Sequence, residues 1–122
     1  MMNQPIPVYT QSDLERVLAR DYAGAVDQAM AVLNGLNTSA WRIDPLRVRM
    51  ACLKLGNGDL SRLAGAVATA QRDWRDALAF AEYSSYMDAS GPEAQKRAIE
   101  QDWRELQAWL HRERTVTGRD EG

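Results

Sequence analysis

Between residues 12 and 112 the apolar residues recur at intervals of three and four, the period of helices lying on a core, and nothing else in the sequence constrains the fold as much. The residue types agree: eighteen alanines stand against seven valines, three isoleucines and five threonines, and no two-residue hairpin signal occurs. The expected class is all-α, a compact four- to five-helix antiparallel bundle, with a short HEAT-like helical array as the alternative. A chain of 122 residues fits one domain. Pro5 and Pro7 each disfavour helix at the preceding residue, so residues 1–11 read as an extended N-terminal arm, ordered by docking. Residues 12–112 form the single helical domain and residues 113–122 a frayed tail.

Ser12 and Glu15 have capping-box spacing, which starts the first helix. Leu14, Leu18, Tyr22, Ala25, Ala29, Leu33 and Leu36 then keep one face apolar, predicting one long helix with a kink near Asp21, where Gly24 weakens it. Asp44 caps a second helix with Pro45 at its first position, running to about Leu55. Leu46, Met50 and Leu53 fall on one side of it, and Val48, Ala51, Cys52 and Leu55 on the other, which places this helix at the centre of the fold. Gly56-Asn57-Gly58 is a turn and Asp59 a cap. From Leu60 the apolar phase runs unbroken to Ala81, so one continuous helix is expected even though Asp73 could cap a new one. Ser84 to Ser90 reads as a loop. Ser90 and Glu93 repeat the capping-box spacing around Gly91-Pro92, and the last helix carries Ile99, Trp103, Leu106 and Leu110 to about Arg112.

Arg47-Val48-Arg49-Met50-Ala51-Cys52-Leu53-Lys54-Leu55, Gly58-Asp59-Leu60, Asp73-Trp74-Arg75-Asp76-Ala77-Leu78 and Ala81-Glu82-Tyr83 together resemble a group of short bacterial all-helical proteins of unassigned function. The resemblance implies a small helical fold and carries over no catalytic or binding residue. Ser84 and Ser85 depart from the pattern, which has a proline ending the helix there.

Little in the sequence points to chemistry. Cys52 lies on an apolar helix face, where a thiol is unreactive, and His111 stands alone near a helix C-terminus, so neither a nucleophile nor a metal site is expected. No phosphate-binding glycine loop and no Gly-x-Ser-x-Gly occurs. Asp73 with Asp76, and Asp102 with Glu105, have helical i, i+3 spacing, but no third group accompanies either pair, and capping and solvated helix faces account for them. Residues 1–40, 41–75 and 76–122 carry net charges of −2, +4 and −4. The basic middle, with Arg42, Arg47, Arg49 and Lys54, superficially resembles a helix-turn-helix across 44–71. Its second helix, however, offers one long polar side chain for base edges, so nucleic acid is not favoured. The longest apolar runs are five residues, far short of the ~20 that span a bilayer, and the N-terminal residues do not read as a secretory signal, so no membrane contact and a cytoplasmic location are expected.

On a helical wheel Trp109 falls beside Ala98, off the core stripe of the last helix, and an aromatic residue on such a shoulder is suited to an interface. The expected contact therefore centres on Ala98 and Trp109, with Asp102, Glu105 and Arg112 as its polar rim. The expected function is that of a non-enzymatic accessory or regulatory helical protein acting by protein–protein contact, including with itself as a homodimer, and without cofactor or metal. The alternatives are a small-ligand-binding or hydrolytic domain using Asp73, Arg75 and Asp76, and a weak helix-turn-helix-like nucleic-acid binder.

Overall fold

The computed structural model describes residues 5–113, and among them it is all-helical, a bundle of seven helices with no strand. The helices are α1 (Gln11–Asp21), α2 (Val26–Leu33), α3 (Pro45–Gly56), α4 (Leu60–Arg72), α5 (Trp74–Glu82), α6 (Ser84–Asp88) and α7 (Pro92–His111). The centre is α3, which packs on α1, α4 and α5 and buries residues on both its sides, among them Val48, Met50, Ala51, Cys52 and Leu53. Its charged positions, Arg47, Arg49 and Lys54, are few and confined to narrow stripes, which is what permits apolar contact on opposite faces. α2 packs on α4, and α7 lies on α5 and α6. No helix among the described residues is long and apolar enough to cross a membrane. The tail expected over 113–122 lies, apart from Glu113, outside the described residues.

Local capping explains several boundaries. Asp44 accepts from the Leu46 N–H at 3.0 Å with Pro45 in the first turn, and Asp59 accepts from the Arg62 N–H at 3.0 Å. Asn57, at φ 48°, closes α3 in the left-handed conformation that suits it.

Five expectations are corrected. α1 starts two residues early, because Thr10 and Asp13 form the capping box: the Asp13 N–H donates to Thr10 Oγ1 at 3.1 Å and the Thr10 N–H to Asp13 Oδ2 at 2.9 Å. The long first helix is two helices. Gly24 sits at φ 82°, which only glycine adopts without strain, and the chain re-enters helix at Val26 with its apolar face still in phase. The helix from Leu60 likewise breaks at Asp73 (φ −159°, ψ 105°), whose carboxylate accepts from the Arg75 N–H at 3.0 Å and starts α5. Ser90 does not cap α7; Gly91 holds that position with no side-chain bond, and Pro92 supplies a first residue that needs no donor partner. The segment read as a loop over 84–90 contains α6, whose start depends on a side chain from α7, as follows.

Candidate functional site

Two clusters of buried polar side chains tie the helices together, one joining α3 to α5 and α7 to α6, the other joining α1 to α7. In the first, Glu82 ends α5 on the same stripe as Leu78, so its carboxylate is carried inward; its side chain is 2% exposed. Arg47, in the first turn of α3 and 13% exposed, meets it with Nη2 at 2.6 Å from Oε1 and Nε at 3.1 Å from Oε2, and the same Nη2 donates to the Tyr83 hydroxyl at 2.6 Å. Burial works against the guanidinium charge, but the bonds and charge of Glu82 outweigh it and hold Arg47 above its ordinary pKa. Burial, and then the Glu82 charge, push the phenols of Tyr9 and Tyr83 up, so both remain neutral. Asp102, also buried, reaches from α7 to the start of α6, where Oδ1 accepts from the Ser85 N–H at 2.9 Å and Oδ2 from the Tyr86 N–H at 3.0 Å. These are the free donors of a helix N-terminus, satisfied from seventeen residues away in sequence. Pro5 and Pro7 of the N-terminal arm, whose residues 1–4 lie outside the described residues, border this region. Pro5 and Pro7 with Glu82, Tyr83, Asp102 and Trp103 line a small cavity with room for about one water molecule.

The second cluster caps the C-terminal end of α7. Arg20 clamps Asp21 with two bonds, at 2.7 and 2.8 Å, while its Nη1 donates to the carbonyls of Trp109 (2.7 Å), Leu110 (3.2 Å) and Arg112 (3.0 Å). Arg16 adds a bond of 2.7 Å to the Leu110 carbonyl. Cations at a helix C-terminus satisfy its free acceptors and its dipole together. Burial disfavours the Asp21 charge, but the bonds from Arg20 and from Arg112, the latter at 3.1 Å, prevail and hold its carboxyl below the ordinary range. The Arg20 guanidinium also lies over the Trp109 ring, 5.5 Å from its centroid.

This arrangement redraws the expected contact surface. Trp109 is not left on a shoulder: it is 7% exposed, covered in part by Arg20, and its indole N–H is buried without a partner. The wheel placed it by neighbours within α7 and could not include α1. Ala98 and Asp102 are buried too, leaving only Glu105 and Arg112 of that group exposed, and Arg112 is paired with Asp21. Cys52 is fully buried and burial pushes its thiol up to about 12, while His111 is exposed. Asp73, Arg75 and Asp76 lie at the surface. Asp73 is bonded to the Arg75 side chain at 2.9 Å, and that contact and its capping bond lower its pKa, the opposite of what a general acid needs. Within the basic middle Arg47 is committed to Glu82, and burial lowers the Lys54 pKa although Glu105, Asp102 and Glu82 act to raise it. Among the described residues no group of three or more His, Cys, Asp and Glu side chains is placed to hold a metal ion.

Arg20 and Glu82 were given no role by sequence, Asp21 was named only for a kink, and Arg47 only as one of the basic residues of the middle segment. Glu82 alone left a signal there, a carboxylate four residues after Leu78 on an apolar stripe. The residues that stand out at the surface are apolar: Ile6, Val8, Phe80 and Met87 are 64%, 86%, 54% and 47% exposed. The chain matches no protein family, no curated protein and no solved structure in the three comparisons made.

Proposed function

We propose that this is a non-enzymatic, cytoplasmic helical protein that acts by protein–protein contact, and that the contact is made through the exposed apolar side chains of the arm and of α5 and α6. The observation that carries the reading is the exposure of Ile6, Val8, Phe80 and Met87, where the other large apolar side chains among the described residues are buried or half-buried. The polar clusters favour it as well, because Arg47, Glu82, Asp102, Arg20 and Asp21 are each bonded to other parts of the chain rather than turned to a substrate.

The test is a photo-reactive phenylalanine analogue placed singly at Val8, at Phe80 and, as a control, at exposed Ala64 on α4, in the native cell. Discrete protein adducts at Val8 or Phe80 and none at Ala64 are expected. Equal labelling at all three positions, or none, refutes the contact surface.

A further inference from the structure

The C-terminal end of α7 gathers more guanidinium donors than its carbonyls use. Arg16 and Arg20 reach it from α1, and Arg112 stands just beyond it. Arg20 is fully committed: Nε and Nη2 bond the two oxygens of Asp21, and Nη1 serves the carbonyls of Trp109, Leu110 and Arg112. That one side chain meets most of what a helix end leaves open. Arg16 repeats one of these bonds, through Nη1 to the Leu110 carbonyl, and Arg112 spends only Nη2, on Asp21 at 3.1 Å and Asn57 at 3.5 Å. Among the described residues, Nε of both and Nη1 of Arg112 make no hydrogen bond. The two side chains are 42% and 40% exposed, so a ligand can reach the spare donors. The space beside them has a ligand's dimensions. Arg16, Ala19, Arg20, His111, Arg112 and Glu113 line an open cleft of about 530 Å³, within the range of small-molecule sites. Among the described residues Glu113 is the one carboxylate of this lining. Asp21 is 6% exposed and bonded to two of the arginines, and Asp13 is held by the Thr10 capping box and meets Arg16 only at 3.5 Å. The negative end of the α7 dipole, which would repel an anion, is answered by the guanidinium donors already on its carbonyls.

We infer that this cleft binds a small phosphate monoester. Guanidinium groups bind phosphate oxygens through paired, charge-assisted hydrogen bonds. Arg16 and Arg112 stand on different segments, so their forks meet a tetrahedral oxyanion from two sides, where a planar carboxylate offers a single pair of oxygens. The lining sets three guanidinium groups against one carboxylate, which favours a dianion, and His111 adds a ring N–H. The cleft exceeds what phosphate alone fills and leaves room for the esterified alcohol. This site shares no residue with the contact surface proposed above.

His111 is the single histidine of the chain, so its ring-proton resonances report this cleft alone. Titrated with glycerol phosphate at constant pH and ionic strength, they move and saturate with a dissociation constant of about 1 mM, the strength of a few charge-assisted hydrogen bonds at an open site. Acetate under the same conditions moves them little. Arg16→Gln and Arg112→Gln each weaken binding at least ~tenfold, by the loss of one charged donor group. Glu113→Gln tightens it, and Arg97→Gln, at an exposed position elsewhere on α7, leaves it unchanged. Shifts that grow without saturating, acetate equal to glycerol phosphate, or cleft arginine variants that match Arg97→Gln each overturn the site. A short single-stranded DNA that binds more tightly than glycerol phosphate at equal phosphate concentration overturns the monoester as its ligand.

Discussion

Removing one partner of the Arg47–Glu82 pair strands the other charge inside the protein, and the structure sets how much each removal costs. The carboxylate is 2% exposed and the guanidinium 13%, so neither charge reaches bulk water without movement of the fold. Breaking a buried pair from one side costs about 3–5 kcal/mol. Glu82→Leu leaves the more exposed partner and still bonded to the Tyr83 hydroxyl, which places it near ~3 kcal/mol. Arg47→Met leaves the deeper charge with no cation and removes the donor to Tyr83, which places it near ~5 kcal/mol. The double variant replaces both charges with apolar groups of similar bulk and returns to within about 1 kcal/mol of wild type. Urea unfolding followed by far-UV circular dichroism measures all three. With a slope of about 1.5 kcal/mol per molar for a domain of this size, Glu82→Leu moves the midpoint down by ~2 M. Single variants that each cost under ~1 kcal/mol, or a double variant equal to their sum, would show that the pair is solvated rather than buried and coupled, and would refute the argument.

Asp102→Ala leaves the Ser85 and Tyr86 amides without acceptors and costs about 1–2 kcal/mol, with hydrogen exchange accelerated across α6 more than across α5. The Cys52 thiol, with a pKa pushed up to about 12, resists a disulfide reagent at pH 8 and reacts at the rate of unfolding; rapid labelling of the folded protein would place it at the surface. The Asp21 carboxyl has its folded pKa lowered below the ordinary 3.8, so its contribution is complete above 3.8 and is lost as pH falls through the folded value. Asp21→Asn therefore flattens the acid limb of stability against pH, and an unchanged limb would remove Asp21 from the set of groups that titrate on unfolding.

What the sequence determined by itself is whatever a few consecutive residues decide. The Asp44–Pro45 start and the Asp59 cap are each settled by a side chain and a backbone group in the same turn, the Asn57 stop by that residue's own left-handed backbone, and the two-sided apolar pattern of α3 marks it as central whatever packs against it. Periodicity could not reveal the breaks at Gly24 and Asp73, because the helices on either side of each break turn their apolar residues to the same core and the phase survives the interruption. Tertiary structure alone decided the rest. α6 exists because Asp102 delivers a carboxylate to its first amides, and Trp109 is covered because Arg20 crosses from α1 to the carbonyls at the end of α7. Both depend on groups that are far apart in the chain and adjacent only after folding, and a pattern confined to one helix contains no information about them.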